Sequence, residues 1–412
     1  MISILPESNY AAVMTETVEP YLDSRRQEMD MPLSTGGTLH AEVYEQPDAT
    51  CAVVILHGYT ESAEKFREMT WYFLNEKFNV YAIDHRGHGK SVRKISDTSI
   101  THVDAFSDYL RDLEEFMSGV VLPRTAHLPR VLYAHSMGGA IGGMTLMNHP
   151  EYFARAVLTA PMIAPSSAPL PRWAGKLAAD FMCAIGKRED RAFIGKPFSP
   201  ENEPFETSCA TSRVRFDYYE RKRIDNAHLQ NCSPTYGWVQ EAIGVTKVLL
   251  DPAKDKQITT PLLLCQASLD KTVCLPEQKQ FVAQVPGAKL SVYPAKHEIY
   301  MSTNDVMEKY VPEVIGFLRG VKEAPEALPL DSGRGAGPAP CKGVPPLTLS
   351  RDSVGDFCIQ CPRVYPANLR FAKFPVETKQ HGSDRAEGVK GATGKPPCRR
   401  RSGDSPCGNI TQ

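Results

Sequence analysis

A chain of 412 residues that is 42% hydrophobic and 23% charged can bury a full core, and its α/β part is expected to be one large domain rather than two. A formal net charge of -1 and a pI near 6.8 argue against nucleic acid as a general partner, because phosphate binding wants a basic surface. No apolar run is long enough for a transmembrane helix.

Residues 1–29 read as an N-terminal extension. Glu7, Glu16, Glu19 and Asp23 fall where a signal peptide would need a basic start and an apolar stretch, so a cytoplasmic protein is expected. The first core segment covers 30–162, where apolar strands near 52, 80, 131 and 156 alternate with helical patterns near 62–77, 104–118 and 136–149. That alternation is the signature of βαβ units and predicts an α/β fold with a mostly parallel sheet.

The strand Ala52–Leu56 runs into His57, Gly58, Tyr59, Thr60, Glu61 and Ser62. The loop Asp84–Ser91 combines Asp, His, Arg and Gly, yet its spacing matches neither a zinc ligand set nor a dinucleotide fingerprint. It reads as a rigid loop at the carboxyl edge of the sheet, with Asp84 and Arg86 hydrogen-bonded to backbone. Residues Val131–Gly139 then carry an apolar strand into a small-residue turn that holds Ser136 and opens a helix, the pattern of a nucleophile elbow. Ala134 stands where the usual G-x-S-x-G pattern has its first glycine. The alternative is an ordinary strand-to-helix turn whose serine caps the helix.

Over 163–247 strand patterns give way to a helical cap. Trp173, Leu177, Phe181, Met182 and Ile185 recur at helical spacing; they either line an apolar acyl tunnel, worth about 0.8 kcal/mol per buried methylene, or pack the cap onto the main domain. Arg213, Arg215, Arg221, Lys222 and Arg223 alternate with Phe216, Tyr218 and Tyr219. Arg215 and its neighbours could meet a phosphate head group or anionic membrane, although such a run is more often a solvated face paired with Asp217, Glu220 and Asp225.

The core resumes over 248–320. A buried strand at Thr260–Gln266 leads into the loop carrying Asp270, and the strand Lys289–Tyr293 leads into the loop carrying His297. A hydroxyl is a poor nucleophile until a histidine takes its proton and a carboxylate fixes that histidine's tautomer. Ser136, Asp270 and His297 appear in the chain order this chemistry takes in hydrolases with such an elbow. Asp251 and Asp255 precede their strand instead of following it, and Glu298 reads as an exposed loop residue. The backbone N–H groups of Tyr59 and Met137 are the expected oxyanion donors, on topological grounds.

Beyond residue 320 the composition turns rich in Pro, Gly, Ser, Lys and Arg, so a disordered tail without a catalytic part is expected over 321–412. The eleven cysteines are scattered and odd in number, which suggests free thiols, with Cys51 and Cys265 as small core hydrophobes. Cys358 and Cys361 form a C-x-x-C without a second pair, so no metal site is expected.

The His57–Gly58 loop, the Ile83–Ser91 loop, the elbow and the acid and base loops together resemble the α/β-hydrolase group of monoacylglycerol lipases and lysophospholipases. Finer matches, in Ala134–Ile141, Leu158–Met162, Ser233–Glu241 and His297–Ile299, resemble bacterial lysophospholipases of the PldB type. The likeness spans about residue 15 to about residue 320. It implies an α/β-hydrolase fold and cleavage of the single acyl ester of a lysophospholipid to a fatty acid and a glycerophospho-alcohol. No cofactor and no metal is implied; the partner is a small-molecule lipid ester, with reversible contact to a membrane surface and no specific nucleic acid. A monoacylglycerol lipase or general carboxylesterase would use the same residues. A proline-type aminopeptidase or a non-catalytic binding module are the more distant alternatives.

Overall fold

Short β-rich apolar runs dominate the centre of the chain, and a strand covered on both faces must be apolar at every position. In the computed structural model, which describes residues 2–167 and 170–320, Cys51–Leu56 and Phe78–Ile83 are such strands, with all six residues of each buried. We number the main-sheet strands β1 (Arg26–Pro32), β2 (Thr38–Tyr44), β3 (Cys51–Leu56), β4 (Phe78–Ile83), β5 (Arg130–His135), β6 (Arg155–Thr159), β7 (Leu262–Ala267) and β8 (Lys289–Tyr293). Their spatial order is β1-β2-β4-β3-β5-β6-β7-β8. β1 and β2 pair antiparallel with each other, and β2 with β4; every other pair is parallel.

Because side chains alternate along a strand, neighbouring residues feed two cores. Val54, Leu56, Leu132, Ala134, Leu158 and Leu264 fall in one cluster, with the helix Ser136–Asn148. Val53, Ile55, Val131, Tyr133, Val157 and Leu263 fall in the other, with the helices Arg67–Asn75 and Asn304–Arg319. The last helix stops at Gly320, whose φ of 76° is the left-handed cap that glycine adopts without strain.

The N-terminal residues differ from the expected extension. Helical turns run from Glu7 to Asp23, and Tyr10, Met14, Val18 and Leu22, spaced four apart, are buried in the second cluster. β1 then begins at Arg26, inside the span assigned to the extension. Between β6 and β7 the chain leaves the sheet as expected and forms the helices Arg172–Ala184, Arg213–Asp225 and Tyr236–Gly244. This insertion is not purely helical: Ser233–Pro234 pairs in parallel with Ile100–Thr101. Among the described residues no helix is long and apolar enough to cross a membrane. The expectations for the tail over 321–412, including Cys358 and Cys361, lie outside the described residues.

Candidate active site

β5 ends at His135 and a helix begins at the next residue, so the chain must reverse within one step. Ser136 absorbs that step with φ = 51°, a left-handed conformation costly for a residue with a side chain. Only glycine fits at the two positions behind it. A Cβ on Gly138 would stand 2.3 Å from the Leu56 carbonyl oxygen, and one on Gly139 would stand 2.7 Å from Pro161 Cβ. The extra methyl of Ala134 is accommodated because it faces Gly142, which has no side chain; a Cβ there would crowd it at 3.3 Å.

The carboxyl edge of the sheet brings three distant residues together. His297 Nε2 lies 2.8 Å from Ser136 Oγ, and His297 Nδ1 lies 2.6 Å from Asp270 Oδ2. Asp270 Oδ1 accepts the backbone N–H groups of Thr272 at 2.7 Å and Val273 at 3.2 Å. Burial alone would raise the Asp270 carboxyl, but the His297 ring and these two N–H groups outweigh it and hold the group below the usual carboxylate range. An ionised Asp270 keeps the ring proton on Nδ1, which leaves the Nε2 lone pair facing the hydroxyl. Ser136 and His297 are each 5% exposed, so this hydrogen-bond chain is shielded from water competition.

The loop after β3 presses on the same point. A Cβ on Gly58 would lie 3.0 Å from Ser136 Cβ, and Thr60, two residues on, has φ = 64°. Tyr59 sits between them, and its ring lies over Trp238 with centroids 4.1 Å apart. Met137 is the second residue of the elbow helix, where backbone N–H groups lack helical acceptors. Tyr59 and Met137 thus flank the serine from two elements.

Neighbouring histidines are structural. His57 Nδ1 lies 2.7 Å from the Gly58 carbonyl and its Nε2 accepts the His85 N–H at 2.9 Å, which fixes a neutral tautomer. Burial pushes His57, His85, His88 and His135 below the ordinary imidazole range. Asp84 accepts backbone N–H groups of Ala63 and Lys90 as expected, whereas Arg86 forks onto the Asp112 carboxylate instead of backbone. Asp251 caps a helix turn.

Three of the expected substrate contacts are placed elsewhere. Arg215 is 1% exposed and grips the Glu68 carboxylate at 2.9 and 2.8 Å, so it is a buried structural ion pair and not a head-group ligand. Trp173 and Phe181 are 71% and 62% exposed, with Leu177 and Ile185 beside them on the helix. They neither wall a tunnel nor pack the cap onto the main domain, because it is the opposite side of that helix that meets the helix Tyr236–Gly244 and buries Ala179. The basic run is likewise not a solvated face throughout, since Lys222 pairs with Glu19 and Glu64 and Arg223 with Glu203 and Glu220. Glu298 is not an exposed loop residue: it pairs with Lys65 at 2.6 Å with only 14% of its side chain exposed. A cavity of about 250 Å³, bordered by Thr60, Lys65, Cys209, Tyr219, Arg223 and Glu298, opens beside the Tyr59 and His297 loops.

Among the described residues two side-chain clusters have metal-ligand composition, Glu28 with His40 and Glu42, and His102 with Asp104 and Glu189. Each already holds cations: Arg26 and Lys90 in the first, Lys94 in the second. The six cysteines among the described residues are free thiols, with Cys51 and Cys265 buried.

The strand order, the elbow and the helical insertion between β6 and β7 define an α/β-hydrolase. Within that class, residues 47–304 match the family model described as serine aminopeptidase, S33, and the chain belongs to that family. It is 34% identical to lysophospholipase L2 of Escherichia coli over 222 residues, which is 54% of this chain and 64% of that protein's length. It is 26% identical to the probable lysophospholipase L2 of Haemophilus influenzae over 267 residues, 65% of this chain and 83% of that protein. Among solved structures, a soluble variant of the Saccharomyces cerevisiae monoglyceride lipase superposes with a TM-score of 0.57 at 13% identity, covering 73% of this chain and 97% of that one.

Proposed function

We propose that this protein is a serine hydrolase that cleaves the acyl ester of lysophospholipids, with Ser136 as nucleophile, His297 as general base and acid, and Asp270 as the group that orients His297. The observation that carries this reading is the unbroken hydrogen-bond chain from Asp270 Oδ2 through the imidazole to Ser136 Oγ. Similarity to two lysophospholipases supports the substrate class.

The hydroxyl attacks the ester carbonyl as His297 Nε2 takes its proton, and ionised Asp270 stabilises the imidazolium that forms. The carbonyl oxygen becomes an oxyanion next to the backbone N–H groups of Tyr59 and Met137. Collapse expels the glycerophospho-alcohol, which recovers its proton from His297. Water, deprotonated by the same ring, then attacks the acyl-enzyme and releases the fatty acid. The cavity lined by Lys65, Arg223 and Glu298 offers the polar leaving group charges of both signs.

The exposed row of Trp173, Leu177, Phe181 and Ile185 supports reversible contact with a lipid surface, since an apolar face that includes an indole suits the headgroup boundary. Purified protein should hydrolyse lysophosphatidylcholine, and faster when it is presented on vesicles. Ser136→Ala should abolish turnover with an unchanged melting temperature, and Asp270→Asn should reduce it by roughly 10⁴-fold. Near-normal hydrolysis by Ser136→Ala would remove the nucleophile from this account. Turnover of monoacylglycerol but not lysophospholipid would overturn the head-group assignment, and equal rates with and without vesicles the surface contact.

A further inference from the structure

Glu61 carries an unusual load for a residue the elementary mechanism does not use. Its carboxylate is 3% exposed and lies at the start of a short ion-pair chain. Oε2 accepts the Gly58 backbone N–H at 2.6 Å, and Oε1 accepts the Tyr300 hydroxyl at 2.5 Å. Lys65 Nζ lies 3.3 Å from Oε1 and 2.6 Å from a Glu298 oxygen, and Glu298 is the residue after His297. Lys65 is thereby held protonated: burial alone would lower it, but Glu298 and Glu61 outweigh that and raise it above the ordinary lysine range.

These contacts join two loops that approach the serine from opposite sides. On one side, Gly58 is packed so closely that an added Cβ would lie 2.7 Å from Glu61 Oε2, 2.9 Å from His135 Cδ2 and 3.0 Å from Ser136 Cβ. Thr60, at φ = 64°, holds a conformation that must be imposed by its surroundings. On the other side, Tyr300 stacks on Phe66 with centroids 4.6 Å apart, which anchors the base loop to the turn that carries Glu61. The groups that face the Glu61 carboxylate are Lys65, Tyr300, the Gly58 N–H and His135, whose Nε2 is 3.6 Å away and whose ring is kept neutral by burial.

We propose that Glu61 is the positioning residue of the oxyanion site: it clamps the Gly58–Tyr59 turn through the Gly58 N–H, and through Lys65 and Tyr300 it locks that turn to the loop carrying His297. This inference rests on the hydrolase reading above. Its chemistry is differential binding. A donor aimed beforehand at the position of the oxyanion stabilises the transition state more than the ground state, so loosening the turn lowers kcat and spares KM. Glutamine at 61 keeps the shape but offers a single acceptor oxygen, so it cannot serve both Gly58 and the Lys65–Tyr300 pair.

The test uses the full chain and four readouts on Glu61→Gln, with Tyr300→Phe as a second variant that leaves the turn's own residues intact. Glu61→Gln should lower kcat on lysophosphatidylcholine about 10- to 100-fold, less than the loss of a whole oxyanion donor, with KM within about twofold. Its affinity for a trifluoromethyl ketone, which forms the oxyanion adduct, should fall by the same factor, while binding of a non-hydrolysable ether lysolipid stays unchanged. Hydrogen exchange at residues 57–62 should accelerate with no change in the central strands, and Tyr300→Phe should move kcat, ketone affinity and exchange in the same directions by less, with ether-lysolipid binding again unchanged. Equal losses of ketone and ether-lipid binding, or unchanged exchange at 57–62, would overturn the proposal. If the unmodified protein hydrolysed no ester, the hydrolase reading would fall, and the exchange result would still decide whether Glu61 holds the turn.

Discussion

At the scale of single residues, the elbow depends on atoms that are missing. Gly138 lies so close to the ends of β3 that an added methyl would meet two backbone carbonyl oxygens, Leu56 at 2.3 Å and His57 at 2.6 Å, neither of which can yield without displacing the strand. Gly138→Ala is therefore expected to misplace Ser136 and destabilise the fold by about 1–3 kcal/mol or more, read as a lower urea midpoint with loss of esterase turnover. A variant of ordinary stability and turnover would show that the strand end is softer than it looks. The placing of Ser136, Asp270 and His297 was legible in the sequence because Ser136 follows its strand directly and Asp270 and His297 lie in the loops that leave theirs, and strand ends in a parallel sheet share one edge. Glu61 was not. Nothing about a glutamate three residues beyond a glycine announces that its carboxylate folds back onto that glycine's N–H, and the contact to Tyr300 bridges 239 positions.

At the scale of elements, the helix Arg213–Asp225 shows where periodicity misleads. Its charges look like a solvated face, yet Arg215 is threaded between the N-terminal turns and the last helix. Glu68 takes its guanidinium together with the Tyr10 and Tyr72 hydroxyls, and the Ser302 carbonyl and Asn304 side chain complete the shell. Removing one partner strands the other charge without water, so Arg215→Ala should cost about 3–5 kcal/mol in chemical denaturation. An effect confined to KM, with the denaturation midpoint unmoved, would restore the head-group role. The exposed row from Trp173 to Ile185 failed for a related reason: an apolar stripe states that a helix has two sides but not which neighbour covers either. Missing β1 has a simpler cause. An edge strand reading Arg-Gln-Glu-Met-Asp-Met-Pro buries little and carries charge that suits a sheet margin, so it lacks the apolar run by which the central strands identify themselves.

At the scale of the whole molecule, buried imidazoles couple the fold to acidity. His57, His85, His88 and His135 all have folded pKa values below their unfolded value of about 6.5. Groups depressed in this way bind protons better when unfolded, so their contribution is complete above about pH 6.5 and is lost as the pH falls below it. Asp255, raised by burial to about 7, works in the opposite sense. Thermal melts between pH 7.5 and pH 5.5 should therefore show a falling midpoint that flattens in a His85→Gln variant; a midpoint that rises on acidification would mean the carboxyl outweighs the four rings. The sheet also sets an order of events during synthesis. Ser136 and His297 are separated by 161 positions, with the cap between them. A growing chain that has emerged only through the elbow thus presents the Ser136 hydroxyl without its imidazole partner, and the hydrogen-bond chain closes only after the ribosome has delivered the loop carrying His297 and the helix that follows it.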